Sequence, residues 1–380
     1  MWHRAKVAAP EVVRANGQVL LAKAAGVGAR MSSFQNPYFE VYVDRRVSSG
    51  SQGLGVSGIL WIPFEIAGQR SARIDESDSL LDWQKTAHGD AEARAVGAVV
   101  VAYGDTIVAA ARLAQAEIAE HQAQAEVDYF SARANVGDAT VVDKALAEAE
   151  VARYAQLRAE AGIALVRSRE QVAVLTAMPD LESPKGDVAT DPPPLRLGDP
   201  DTQAQAVVER SPLLRALDGE ARFYDRQRDR AEAERSSPVS AIVTAGRGEF
   251  GDARVGGGVA WTFPIIRRNQ GEIARASAGE ARAKAERGAF TVALRSRARA
   301  DAEEYQQTLA AIGALDRTGL PAASRVADAT LASFKAGKAE LIRVINARRD
   351  LAVARSRRLD LVQGAWRAFG DLAAMRGELP

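Results

Sequence analysis

Very little in this chain can do reaction chemistry. There is no cysteine, which excludes disulfides, zinc–thiolate centres and thiol nucleophiles within these residues, and a lipid-modified N-terminal Cys is not expected. The three histidines, His3, His88 and His121, are scattered, with no second His at helical spacing. The glycine-rich runs GRGEFG (246–251) and VGGG (255–258) are not phosphate loops, since no Lys-Ser/Thr pair follows them. The 50 basic and 49 acidic residues give a net charge of +1, which excludes a polybasic nucleic-acid binder and an acidic tail. Most of these charges read as solvated helix faces. The expectation is a protein with no catalytic residue, no cofactor, no metal and no nucleic-acid partner.

What does stand out is a junction that occurs twice. WIPFEIAGQRSAR (61–73) and WTFPIIRRNQGEIARA (261–276) each carry a Trp, a nearby Pro, a Gly/Gln stretch and an Ala/Arg/Glu-rich segment. They belong to a larger internal repeat. Pro10 matches Pro212, Pro37 matches Pro238, Trp61 matches Trp261 and Gly137 matches Gly337, at offsets of 202, 201, 200 and 200 residues.

The elements that position these residues follow from pattern. The first repeat, 1–178, reads as a helix over 8–30, a β-hairpin over 37–64, a long helix over 65–133 and a return helix over 139–178. A Pro/Asp/Gly-rich connector covers 179–202. The second repeat, 203–380, reads as a helix over 203–235, a hairpin over 237–265, a long helix over 267–335 and a return helix over 339–376. Pro321 is expected to kink or break the second long helix. The hairpins alternate with period two, as strands with unlike faces do: Phe39, Val41 and Val43 against Glu40, Tyr42 and Asp44. Nearly 70 helical residues span roughly 100 Å at about 1.5 Å per residue. In the last helix Leu341, Ile345, Ala352, Leu359, Val362, Trp366 and Phe369 fall at coiled-coil intervals. No uninterrupted apolar run reaches the roughly 18 residues of a membrane-spanning helix, and AVGAVVVAYG (95–104) reads as a buried helix face. No signal peptide is visible at the N-terminus, so a truncated or misassigned start, or a chain shown without its leader, is expected.

Four short strands, apolar on one face and small or polar on the other, match a transmembrane β-barrel. They cannot close one, because barrels begin at about eight strands and lipid forbids open edges. Three copies would supply twelve. In that arrangement Trp61 is expected at the lipid edge, with Trp261, Phe64 and Phe263 in the same aromatic girdle, and Pro63 is expected to end strand pairing.

The order of helix, hairpin, Trp/Pro junction, long helix, glycine turn and return helix resembles the outer-membrane efflux protein family, the TolC-like channels. GVAWTFPIIRRNQGEIARASA (258–278) and the stretch from ASFKAGKAELIRVINARRD (332–350) to residue 379 carry it most specifically. The resemblance implies a mixed α/β membrane protein. Long coiled-coil hairpins would form a periplasmic tunnel, and four strands per protomer would enter a trimeric 12-stranded outer-membrane barrel. It implies a homotrimer in outer-membrane lipid, a periplasmic adaptor (membrane fusion) protein and an inner-membrane pump of RND or ABC type. It places adaptor docking at the hairpin tips, Asn135, Val136, Gly137 and Asp138 in one repeat and Ala336, Gly337 and Lys338 in the other. The backbone alone also explains both glycines as tight turns. The family's acidic entrance position falls on Asp143 and, in the second repeat, on Arg343. The barrel-to-tunnel junction falls on Trp61, Pro63, Trp261 and Pro264. The main expectation is the exit duct of a tripartite efflux pump. The alternatives are a duct for type I protein secretion, a periplasmic adaptor or a non-membrane coiled-coil scaffold.

Overall fold

The computed structural model describes residues 1–48, 51–135, 140–179, 191–193, 197–248 and 250–378. The chain opens with helices α1 (Trp2–Ala8) and α2 (Pro10–Ala29). Strands β1 (Tyr38–Ser48) and β2 (Ser51–Phe64) follow, then α3 (Gln69–Asn135) and α4 (Val141–Thr176). The second half brings α5 (Pro200–Arg210), α6 (Pro212–Ala233), β3 (Val239–Arg247) and β4 (Ala253–Trp261). Next come α7 (Gln270–Ala314), a π-helical turn (Leu315–Gly319), α8 (Leu320–Lys335) and α9 (Leu341–Arg376).

Three prolines refine the helices expected from sequence. Where one helix is expected over 8–30 and one over 203–235, Pro10 and Pro212 each start a new helix. Proline has no N–H to donate and its fixed φ suits the first helical position. Pro321 does not end the second long helix. It sits in the first turn of α8, behind the wide π turn, and the helical path runs on. The Thr318 hydroxyl donates to the Ala314 carbonyl at 2.8 Å across that turn. The first repeat has no such interruption in α3.

All four strands form one antiparallel sheet in the order β1-β2-β3-β4. Pairing of β2 with β3 joins the two repeats, from Val56↔Arg247 to Phe64↔Val239. The compact units therefore cut across the repeats. One unit holds Met1–Arg14, Gly89–Pro212 and Thr291–Pro380, and the other holds Ala15–His88 and Leu213–Phe290.

The first unit is all helix among the described residues. Tyr305, Leu359, Val362 and Leu372 are fully buried in it, as coiled-coil spacing in the last helix requires. Helices α3 and α9 touch backbone to backbone, since a Cβ on Gly97 would lie 2.6 Å from the Gly370 carbonyl oxygen. One window of α3 is apolar enough, by length and composition, to cross a membrane, although no uninterrupted apolar run in the sequence is that long. More than half of that window is buried, and Ala95, Val99, Val100 and Ala102 are fully enclosed. The second unit carries the sheet and the helix ends that feed it.

Candidate functional site

Residues paired directly across an antiparallel ladder point to the same face, so the register sorts the sheet's side chains. Phe39, Val41 and Val43 on β1 lie opposite Leu60, Gly58 and Val56 on β2. Leu60 and Ile62 lie opposite Val243 and Ala241 on β3. Those two residues in turn oppose Gly257 and Val259 on β4. These positions make one face an apolar surface, on which Val41, Val43, Val255 and Val259 are exposed. The other face carries Glu40, Tyr42, Asp44, Ser57, Ser240, Thr244, Gly256 and Gly258. The outer edges, β1 and β4, have no strand partner within the described chain.

The two tryptophans at the junctions land on opposite faces. Trp261 pairs with Val239 on the apolar face, and its ring centroid lies 4.3 Å from that of Phe263. Trp61 pairs with Tyr38 and Ile242 on the polar face, whereas the lipid edge expected for it belongs to the apolar one. Its ring stacks on Tyr38 at 5.5 Å, and its indole N–H donates to Glu40 Oε2 at 3.2 Å. Successive residues of a strand point to opposite faces, so Trp61 lies on the side opposite to Leu60 and Ile62. Pro63 does not end strand pairing either, because β2 runs on to Phe64. Pairing with β1 stops at Tyr38↔Trp61, so Pro63 has a neighbour only in β3, where it faces Ser240. A missing N–H is tolerated on such a locally open side. Pro264 lies beyond β4, and its carbonyl accepts from Arg268 Nε at 3.1 Å.

Past each junction the chain turns into a long helix by the same device. Gly68 (φ 75) and Asn269 (φ 59) are left-handed, a conformation that Gly and Asn adopt readily. The next residue is a glutamine that folds back: Gln69 Oε1 accepts the Ala67 N–H at 2.8 Å, and Gln270 Oε1 accepts the Arg268 N–H at 2.9 Å. The first junction adds a buried ion pair, Arg73–Glu65 at 2.6 Å, with side chains 7% and 6% exposed. Arg73 also donates to the carbonyls of Ala29 and Met31, at the end of α2. The second junction uses Asn269, whose amide donates to the Ala231 carbonyl at 3.0 Å.

At the tips, Val136, Gly137 and Asp138 lie outside the described residues, and Asn135 is the last residue of α3. In the second repeat Ala336 caps α8 and Gly337 takes φ 69. The Lys338 N–H reaches the Ser333 carbonyl and the Gly337 N–H reaches that of Phe334, both at 2.9 Å. This is a Schellman ending, which calls for glycine at that position. Asp143 closes a capping box on α4: its N–H donates to the Thr140 hydroxyl at 3.1 Å, and its carboxylate accepts the Thr140 N–H at 3.2 Å. Arg343 occupies the equivalent place in α9, exposed, behind an N-cap, Glu340, that makes no side-chain cap bond.

Among the described residues, no group of three or more His, Asp or Glu could hold a metal ion. No family model matches the chain. Its sequence is 27% identical over 330 residues to the cobalt-zinc-cadmium resistance protein CzcC of Cupriavidus metallidurans, covering 83% of this chain and 75% of that one. Its structure matches the outer-membrane channel OprN with a TM-score of 0.80 at 15% identity, over 100% of this chain and 89% of that one. It also matches the CmeC outer membrane channel of Campylobacter jejuni with a TM-score of 0.79 at 13% identity, over 100% and 85%. The chain has the fold of the TolC-like outer-membrane channels.

Within this channel fold, sequence reasoning locates the junctions but misses the residues that build them. Gln69, Gln270 and Asn269 stand in the quoted runs, and the matching Gly-Gln and Asn-Gln pairs are a usable signal. Arg73 and Glu65 give none, because their burial depends on where α2 ends.

Proposed function

We propose that three copies of this chain form the outer-membrane exit duct of a tripartite efflux pump. The observation that carries this reading is the register of the sheet: one apolar face, one small and polar face, and two open edges. Lipid tolerates such a sheet only if its edges are closed by other strands. Three copies supply twelve, with the apolar face toward lipid and the polar face toward a water-filled lumen. The long helices then continue the duct into the periplasm. The channel fold and the similarity to CzcC support efflux over type I protein secretion.

The tips at Asn135–Asp138 and Ala336–Lys338 are the docking points for a periplasmic adaptor, which links the duct to an inner-membrane pump. Asp143 and Arg343 alternate around the entrance and set its charge. Membrane fractionation of a leader-bearing full-length chain, followed by mass measurement in detergent and conductance in planar bilayers, tests the duct. A soluble monomer would refute it. Unchanged conductance and opening in both Asp143→Arg and Arg343→Asp would remove the entrance role.

A further inference from the structure

The polar face of the sheet is not uniform. On the first hairpin, Glu40 Oε2 accepts from the Tyr42 hydroxyl at 2.9 Å and from the Trp61 indole N–H at 3.2 Å. Trp61 stacks on Tyr38 with only 9° between the rings. Tyr38 and Tyr42 remain about half exposed, at 49% and 50%. Level with Tyr38 and Glu40 the second hairpin carries Ile242, Thr244, Gly256 and Gly258 on this face, with no ring and no carboxylate, and level with Tyr42 it carries Gly246 and Arg254. A carboxylate held by two donors and flanked by three aromatic rings is thus concentrated at the helix-proximal end of one hairpin.

We propose that Tyr38, Glu40, Tyr42 and Trp61 form a binding site for organic cations on the inner wall of the barrel, at its helix-proximal end. The assignment rests on the duct reading, which turns this face toward the lumen and repeats the cluster three times around it. The carboxylate supplies the charge, and the exposed ring faces attract a weakly hydrated cation. The two hydrogen bonds hold the carboxylate in place before a ligand arrives. Asp44 adds a second negative charge on the same face, while Arg254 is already paired with Asp252 at 2.9 Å. A divalent metal ion would need several oxygen donors, and the cluster offers one carboxylate.

The test is block of single channels of the wild-type homotrimer in planar bilayers by tetraphenylphosphonium, with Co²⁺ as the comparison. Glu40→Gln keeps the shape of the side chain and removes its charge, and Trp61→Leu removes a ring. Each is expected to raise the half-blocking concentration of tetraphenylphosphonium about fivefold, with Trp61→Leu leaving any effect of Co²⁺ unchanged. Open-channel conductance reports correct assembly, and Glu40→Gln decides alone if Trp61→Leu does not assemble. Channels that conduct but show no block, or block that Glu40→Gln leaves unaltered, overturn the site while the duct stands. A wild-type chain that forms no channel overturns both.

Discussion

The return helices α4 and α9 start from equivalent places in the two repeats and are held there by opposite means. The start of α4 is fixed by its own side chains, through the Thr140–Asp143 capping box. That of α9 has no side-chain cap and carries Arg343 in its first turn, where the helix dipole disfavours a positive charge. Its support comes from neighbours: Leu341 and Ile345 are buried with Phe130 and Ala147, and Phe334 packs against them. The junctions differ in the same way. The first is locked by a buried ion pair, the second by one asparagine amide. The two repeats share a backbone path, and each satisfies it with different chemistry.

The contrast can be broken most strongly at the first junction. Arg73→Met would leave Glu65 as a buried, unpaired charge and should destabilise by about 3–5 kcal/mol. The dissociation temperature of the proposed trimer should fall accordingly, whereas Asn269→Ala in the second junction should lower it far less.

A second difference lies along the long helices. Asp301 in α7 occupies the place of Val101 in α3. Burial, then the neighbouring charge of Asp371, push its carboxyl up to about 6 against the pull of Arg297, with Glu304 adding a smaller upward push. A raised carboxylate value means the folded protein holds the proton more tightly. The contribution of this group to stability should therefore be highest below about pH 4, fall as pH rises to about 6 and then level off. A shift of about two units bounds the effect at about 3 kcal/mol, and solvent screening of the exposed part lowers it. Asp301→Asn should flatten thermal midpoints measured between pH 4 and 7.5, and a slope that persists would assign the dependence to other groups.

At the helix entries, Gly68→Val should cost about 1–2 kcal/mol, since a left-handed φ disfavours a branched side chain. Gly68→Asn copies the second junction and should cost less than half as much, both read from the same dissociation temperature. The smallest effects belong to the tips. Thr140→Ala should cost about 1 kcal/mol, seen as faster hydrogen exchange in the first turn of α4. Grafting the box onto α9 with Glu340→Thr and Arg343→Asp should slow exchange there by a comparable free energy.

The repeat, the strands and the helix hairpins are legible in the sequence because each rests on local spacing. The alternation of Phe39, Val41 and Val43 needs no partner to be recognised. The face of Trp61 is legible as well, since alternation sets it opposite to Leu60 and Ile62, and it is the lipid-edge placement expected of a tryptophan that conflicts with this pattern. Pro63 misleads because whether a missing N–H matters depends on where the neighbouring strand stops. The effect of Pro321 depends on a π turn that no residue in the sequence announces. Asp143 has a local role, its capping box, that its spacing from Thr140 reveals once the helix start is known.

The pairing of β2 with β3 also sets a timetable. Phe64 meets Val239, so the sheet cannot be completed until the second hairpin has been synthesised. Such distant contacts are slow to form. Until then the β2 edge of the first hairpin is unpaired, beside an apolar face that the second hairpin does not cover. Premature contact between the open β2 edges of separate chains is the most direct route to aggregation for a chain of this design.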